Sequence, residues 1–248
     1  MKRLYPLAWI VALTLLVASF GVAAGGIVAS TPWVGAMAKA AGVENVVVIT
    51  PAGVAHPPDY DPRPSDLLRV AAASVILSGG YEGFAPRLAA AAAPDATQLV
   101  VQTTYDPAAL EIEIRRLAVV FGTEVRADRF LVDWRREWQA GATALGRTKG
   151  TGQTRIAAHR FMQPWIGLLG VTPLAVFGPG PLTPTELARL KALGITLVVD
   201  NAHSPQGAAL AEVSGARYVK LVNFPAAGEG LEDVLRGNVT CLHEGLSR

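Results

Sequence analysis

The chain has a single cysteine, Cys241, among its 248 residues. One cysteine excludes a disulfide within the chain and any metal site built from several cysteines. An excess of charge of one sign is also missing. The 22 basic residues include Lys2 and Arg3, and the other 20 equal the 20 acidic residues in number. Apart from Lys2 and Arg3, the chain is therefore neutral and has no basic runs, so it is not expected to bind nucleic acid. Without a disulfide, its stability must come from packed apolar cores.

Motifs typical of several enzyme classes are missing as well. The sequence has no Gly-x-Ser-x-Gly elbow and no His-Glu-x-x-His zinc motif. The Gly/Pro-rich run at 178–181 lacks the lysine and the spacing of a phosphate-binding loop. Enzyme interpretations therefore find little support, and we expect a protein that is not an enzyme.

The first 24 residues are typical of an export signal. Lys2 and Arg3 precede an apolar run over 7–24 that ends in Val22-Ala23-Ala24, a small-residue cleavage site. The run is almost long enough to span a bilayer, so an uncleaved N-terminal membrane anchor is the alternative. No cysteine follows it, which excludes a bacterial lipoprotein anchor. Both interpretations place the rest of the protein in the periplasm or on the outer face of the cytoplasmic membrane.

Short apolar runs alternate with helical segments through most of the remaining chain. In the first part these runs predict buried strands at 26–30, 46–49, 74–78 and 98–101. In the last part they predict strands at 156–158, 173–176, 195–199 and 218–222. Strands that alternate with helices pair in parallel through right-handed crossovers. The sequence therefore predicts an α/β protein with two lobes of parallel-rich sheet and helices.

A long amphipathic helix is predicted between the two lobes. Apolar and aromatic residues recur at helical spacing from about 125 to 145, and 146–152 contains Gly, Thr and Lys but no apolar residue. We expect an N-terminal lobe over 25–124, a linking helix over 125–148 and a C-terminal lobe over 149–248, with the ligand cleft between the lobes. A helix that merely covers one sheet is the alternative interpretation.

A proline-rich loop at 54–66 follows the strand predicted at 46–49. Four prolines between residues 57 and 64 favour a stiff, extended loop, after which Ser65 is expected to cap a helix that begins near Asp66. The loop places His56 after the carboxyl end of a strand, where open α/β sheets bind ligands. Two interpretations stay open: His56 faces a ligand, or it belongs to an ordinary surface loop and binds nothing.

The pattern Gly-x-x-His-x-x-x-Tyr-Asp-Pro-x-Pro-Ser-Asp at 53–66 resembles the first metal-ligand loop of the zinc- and manganese-binding solute-binding proteins of ABC importers. That family usually reads Gly-x-Asp-Pro-His-x-Tyr-Glu-Pro-x-Pro-x-Asp. From Gly53 to Tyr60 this chain is one residue longer, and its histidine comes one place earlier. The segments at 159–170, 185–199 and 231–242 resemble later parts of the same family. The resemblance implies a monomeric two-lobe receptor that delivers its ligand to a membrane permease.

The resemblance also implies a ligand set for a zinc or manganese ion. His56 and His159 match the family's first and third ligands. The second ligand position falls at Gln102 and the late aspartate at Asn223, and both side chains are neutral. His203 or Asp200 is a substitute donor at the end of the strand at 195–199. The expected metal ligands are His56, His159, His203 and Asn223, and whether Gln102, Asp200 or Asn223 completes the site stays open.

A second resemblance leaves the ligand open. The segment 107–138 is more similar to siderophore- and cobalamin-binding receptors, which share the two-lobe, helix-linked architecture. On this alternative the ligand is a metal chelate such as a siderophore, haem or cobalamin. A third possibility is a degenerate relative that acts as a chaperone or adhesin and binds no metal.

Overall fold

The computed structural model describes residues 25–51, 53–148 and 154–247. The export segment expected at 1–24 lies outside the described residues, as does most of the linker expected at 146–152. The described chain forms two separate sheets of four parallel strands with helices packed on them. This confirms the predicted α/β class.

The first sheet has the strand order β2-β1-β3-β4, with every pair parallel. In this order the strand connections reverse direction between β1 and β3, which lie side by side although β2 separates them along the chain. Its elements are β1 (Ile27–Ala29), α1 (Pro32–Ala40), β2 (Val46–Val48), α2 (Pro64–Ala71), β3 (Val75–Ser78), α3 (Ala85–Ala91) and β4 (Thr97–Val100).

The second sheet repeats this topology, with the order β6-β5-β7-β8 and parallel pairing throughout. Its direction reverses between β5 and β7. Its elements are β5 (Ile156–His159), α6 (Gln163–Gly167), β6 (Ala175–Phe177), α7 (Pro184–Ala192), β7 (Leu197–Asn201), α8 (Ala208–Ser214), β8 (Arg217–Leu221) and α9 (Leu231–Ser247).

Two long helices, α4 (Pro107–Phe121) and α5 (Glu124–Gly146), follow the first sheet. Asp106 caps the start of α4 by accepting a hydrogen bond from the Ala109 amide at 2.9 Å, and Gly122 ends the helix in a left-handed conformation. Helix α5 packs against α4 and α1 on one side and against α9 of the second half on the other. The long helix predicted from 125 therefore contacts both halves of the chain.

The helix after the proline-rich loop begins earlier than the sequence suggested. Helix α2 starts at Pro64, so Arg63 and not Ser65 is its N-cap. The Asp66 carboxylate accepts a hydrogen bond from the Arg63 amide at 2.9 Å, which stabilises the first turn from within the helix. The loop itself is not fully extended, because Pro57–Asp59 forms one turn of 3-10 helix.

One apolar core joins the two halves. It includes residues of β1, α1, α4 and α5 together with residues of β5, α6 and α9. Through it runs an aromatic row of Trp33, Tyr105, Trp165, Trp138 and Trp134, whose successive ring centroids are 5.1, 4.5, 6.0 and 5.8 Å apart. Two smaller cores cover the outer faces of the sheets. No helix formed by the described residues combines the length and hydropathy of a membrane span.

Candidate metal centre

The loops that follow β2 and β7 meet at a seam between the two halves. The Nδ1 atom of His203 lies 3.1 Å from the carbonyl oxygen of Ala55, and its Nε2 atom accepts a hydrogen bond from the Phe224 amide at 3.4 Å. The His203 ring also packs edge-on against the Phe224 ring, with centroids 5.0 Å apart. These contacts imply a neutral ring that carries its proton on Nδ1.

His56 lies beside His203 at this seam. Burial lowers the pKa of His203, the hydrogen bond with the Ala55 carbonyl opposes that shift, and the neighbouring His56 ring lowers the pKa further. The Nδ1 atom of His56 lies 2.8 Å from an Asp59 carboxylate oxygen, without the alignment of a hydrogen bond. The His56 side chain is 39% exposed, although its Nδ1 atom is buried. Imidazoles from the two halves thus face one seam.

His159 is the last residue of β5 and is fully buried. Its Nδ1 atom accepts a hydrogen bond from the Phe161 amide at 3.2 Å, so a neutral ring carries its proton on Nε2. Within the described chain Nε2 has no hydrogen-bond partner, and it faces Gly178, where an added Cβ would lie 2.5 Å away. Burial lowers the pKa of His159, partly offset by Asp200. To bind a metal through Nε2, this ring must release Phe161 and turn.

Asn223 belongs to the aromatic row and not to an open cleft. The side chain is buried, and its carbonyl oxygen accepts a hydrogen bond from the Trp165 indole at 3.4 Å. Its backbone carbonyl accepts a second hydrogen bond, from the Tyr105 hydroxyl, at 2.9 Å. Gln102, at the family's second ligand position, is exposed, and its backbone amide donates a hydrogen bond to the Glu113 carboxylate at 3.0 Å. Neither position supplies the negative charge that a metal dication favours.

Asp200 organises the loop that carries His203. One oxygen of the buried carboxylate accepts a hydrogen bond from the Asn201 amide at 2.8 Å. The other accepts from the amides of Gln206 and Gly207, at 2.8 and 2.6 Å, and from the Tyr218 hydroxyl at 2.7 Å. Both ends of the 201–207 loop are therefore tied to one side chain. Asp200 positions His203, and its oxygens are already occupied.

Replacing Asp200 by asparagine should lower the free energy of unfolding by about 1–3 kcal/mol, because the amide nitrogen that replaces one carboxylate oxygen cannot accept the hydrogen bonds of that oxygen. Replacing Tyr218 by phenylalanine removes one of these bonds and should cost about 1 kcal/mol. Urea denaturation of both variants measures the difference. Equal stability of the Asp200 variant and the parent would show that this network does not hold the loop.

The structure thus brings two of the four predicted ligands, His56 and His203, to one place. His159 and Asn223 are held in other contacts, and the Nε2 lone pair of His203 is itself occupied by the Phe224 amide. Among the described residues no group of three His, Cys, Asp or Glu side chains stands close enough to hold a metal ion. A complete coordination shell therefore requires at least one further donor to move towards the histidine pair.

Comparison with known proteins gives a fold and no close relative. No family model and no curated protein matches the sequence. Among solved structures, FpvC of Pseudomonas aeruginosa in complex with Mn²⁺ is 17% identical with a TM-score of 0.70, and the match covers 89% of this chain and 97% of that one. The chain has the fold of this solute-binding protein.

Two further proteins support the same fold. The Mn-bound periplasmic metal-binding protein of Candidatus Liberibacter asiaticus is 13% identical, with a TM-score of 0.67 over 90% of this chain and 99% of that one. The laminin-binding protein Lbp of Streptococcus pyogenes is 16% identical, with a TM-score of 0.65 over 90% and 98%. The resemblance seen in the sequence is therefore confirmed for the solute-binding fold. The first two proteins were solved with manganese bound, and the third is named as a laminin-binding protein.

Proposed function

We propose that this chain is an exported solute-binding protein that captures a divalent transition-metal ion, zinc or manganese, and delivers it to an ABC permease. The observation that carries the proposal is the meeting of His56 and His203, one from each half, at the seam of a solute-binding fold. The nearly full-length match to proteins solved with bound metal supports it. The metal is cargo and not a resident cofactor.

The chemistry of the seam suits such a cargo. Neutral imidazole nitrogens bind zinc, and carboxylate oxygens beside them also admit manganese. His56 and His203 supply the first two donors once the Nε2 atom of His203 releases the Phe224 amide, and Asp59 places a carboxylate next to His56. His159 joins the shell only after it releases the Phe161 amide, and Asn223 only after it releases Trp165. Capture therefore includes a local rearrangement on the side of the second half.

The proposed organisation follows from this role. Residues 1–24 act as the export signal or as an N-terminal anchor, which places the receptor outside the cytoplasm. The lobes at 25–124 and 149–248 contribute one wall of the site each, and the helix at 125–148 links them. A monomeric receptor of this kind presents its cargo to the permease and carries out no chemical reaction.

Metal binding should depend on pH in one direction. Burial lowers the pKa of His203 and His159 below the usual 6.5, and an imidazole binds metal only when it is neutral. Zinc affinity should therefore be constant from about pH 8 to about 6.5 and should fall at lower pH. Calorimetric titrations at stepped pH measure this. An affinity that stays constant through the pH range in which the histidines of the metal-free protein take up protons would contradict imidazole ligands.

The metal-free protein should lose stability over the same range. Both histidines have a lower pKa in the folded state than in the unfolded chain, so the unfolded chain takes up protons first as the pH falls. Their contribution to stability is complete above the unfolded value and is lost as the pH falls through the folded value. Thermal unfolding in chelator-containing buffers provides the necessary control for the metal titration.

Metal analysis of the purified protein tests the proposed function. After removal of metal with a chelator, zinc and manganese are titrated back and the bound metal is counted. About one ion per chain supports the proposal. A coloured organic ligand that copurifies favours the chelate receptor. A protein that binds neither favours a chaperone or adhesin.

A further inference from the structure

Glu82 lies beyond the carboxyl end of a strand of the first sheet, in a region where this class of fold binds ligands. It follows β3, while Ser30 follows the adjacent strand β1. The strand connections reverse between these two strands, and open α/β sheets bind ligands beyond the carboxyl ends of the strands at such a reversal. The Glu82 side chain is only 3% exposed. A buried carboxylate at this position calls for an explanation.

One oxygen of Glu82 is fixed and the other is free. Oε1 accepts hydrogen bonds from the Gly79 amide, at 2.8 Å, and from the Ser30 hydroxyl. Oε2 is buried and has no hydrogen-bond partner in the part of the chain that the structure describes. No described basic side chain forms an ion pair with Glu82, whose partners are all neutral. The carboxylate is therefore held in one orientation with an unused oxygen.

This arrangement distinguishes Glu82 from the other buried acids of the described chain. Both oxygens of Glu113 are bonded, to Arg116 and to the Gln102 amide. Both oxygens of Asp66 and of Asp200 are bonded too. A buried carboxylate without a counter-charge is costly unless a cation binds to it.

We propose that Glu82 is the carboxylate ligand of the metal cargo and binds it through Oε2. The inference rests on the proposed function and adds to it a buried carboxylate of fixed orientation, whereas the Asp59 carboxylate is exposed. Asn223 and Gln102 leave the expected site without negative charge, and Glu82 restores one unit of it. Ser30 and Gly79 are positioning residues, because they orient the carboxylate without contacting the ion.

Glu82 is linked to the loop of His56 by its neighbours in sequence. The Gly83 amide donates a hydrogen bond to the carbonyl oxygen of Pro58 at 3.2 Å. Beside it, the rings of Phe84 and Tyr60 pack edge to face with centroids 6.1 Å apart. The segment 79–84 and the histidine loop thus form one packed unit of the first half. Among the described residues these groups do not stand close enough to hold one ion, so binding by the histidine pair and Glu82 requires a movement at this seam.

A carboxylate ligand also bears on the class of cargo. Two imidazole nitrogens with one carboxylate oxygen form a mixed donor set, which zinc accepts and which admits manganese. Removing the carboxylate should therefore weaken manganese binding more than zinc binding, because manganese prefers oxygen donors. This difference separates a ligand from a residue that only supports the fold.

Glu82→Gln tests the inference, with Glu113→Gln as the matched control in the same half of the protein. We expect Glu82→Gln to keep or raise the melting temperature without metal, since Oε2 has no hydrogen bond to lose. It should weaken manganese binding at least about tenfold by calorimetry. Glu113→Gln should lower the melting temperature, because it breaks the contact with Arg116, and should keep the parent's metal affinity.

The possible outcomes separate the inference from the proposed function. A parent protein that binds neither metal refutes the proposed function and the inference with it. A parent that binds metal and a Glu82→Gln variant that binds equally well overturn the inference alone. If Glu82→Gln does not fold, Ser30→Ala decides, because it releases Oε1 and keeps the carboxylate. A severalfold loss of manganese affinity in Ser30→Ala supports the inference, and unchanged affinity overturns it.

Discussion

Replacing His203 by alanine should weaken zinc binding about a hundredfold, which corresponds to roughly 3 kcal/mol. The reason is that His203 is the only histidine of the second half that the structure, within its described residues, places beside His56. Removing it takes one donor out of a shell of about four. Calorimetric titration of zinc into the metal-free variant measures the loss. His243→Ala is the matched control, since that histidine is exposed on α9 and should be silent.

The companion variant His159→Ala separates two roles for the buried histidine. If the ring turns towards the seam when metal binds, this variant should lose affinity as strongly as His203→Ala. If the ring remains the acceptor for the Phe161 amide, the variant should lose stability and keep its affinity. Parent-like zinc affinity in His203→Ala would place the site away from the seam.

Replacing Trp165 by alanine should lower the free energy of unfolding by about 3–5 kcal/mol, the usual cost of deleting a buried aromatic side chain. Trp165 is fully buried, and its ring lies 4.5 Å from Tyr105 and 6.0 Å from Trp138 between centroids. The change also removes the donor to the Asn223 carbonyl oxygen. Urea denaturation of parent and variant measures the effect.

The matched control for Trp165 is Ile112→Ala, because Ile112 is 69% exposed on α4. Its replacement should change stability by no more than about 0.5 kcal/mol. If Trp165→Ala costs as little as this control, the aromatic row is not what holds the two halves together. If the cost is large, the aromatic row stabilises the packing of the two halves.

The architecture was predictable because its signals are local. Short apolar runs bounded by glycine and proline indicated the strands, and the repeated alternation with helices indicated two parallel sheets. One capping residue follows a local pattern too: Thr183, in the run Thr-Pro-Thr-Glu, accepts from the Glu186 amide at the start of α7. The predicted start of α2, near Asp66, is two residues too late, since the Asp66 carboxylate accepts a hydrogen bond from the Arg63 amide from inside the helix.

The site was less predictable because its decisive contacts are distant in sequence. Asn223 matched a ligand position, but its oxygen is bonded to Trp165, 58 residues away. Asp200 looked like a free carboxylate, but Tyr218 and the 206–207 amides occupy it. The sequence does not single out Glu82, since a glutamate after a strand is common. Only its burial, with one oxygen left unbonded, distinguishes it. Such features depend on tertiary packing, which a short sequence pattern does not reveal.

The most direct test of a metal receptor is to locate the ion. Crystals grown with manganese, measured at a wavelength where the metal scatters anomalously, would show its position without reference to any sequence pattern. The account predicts one strong peak per chain at the seam, within bonding distance of nitrogen atoms of His56 and His203. A crystal with no anomalous peak at the seam, or with peaks only on the outer surface, would contradict it.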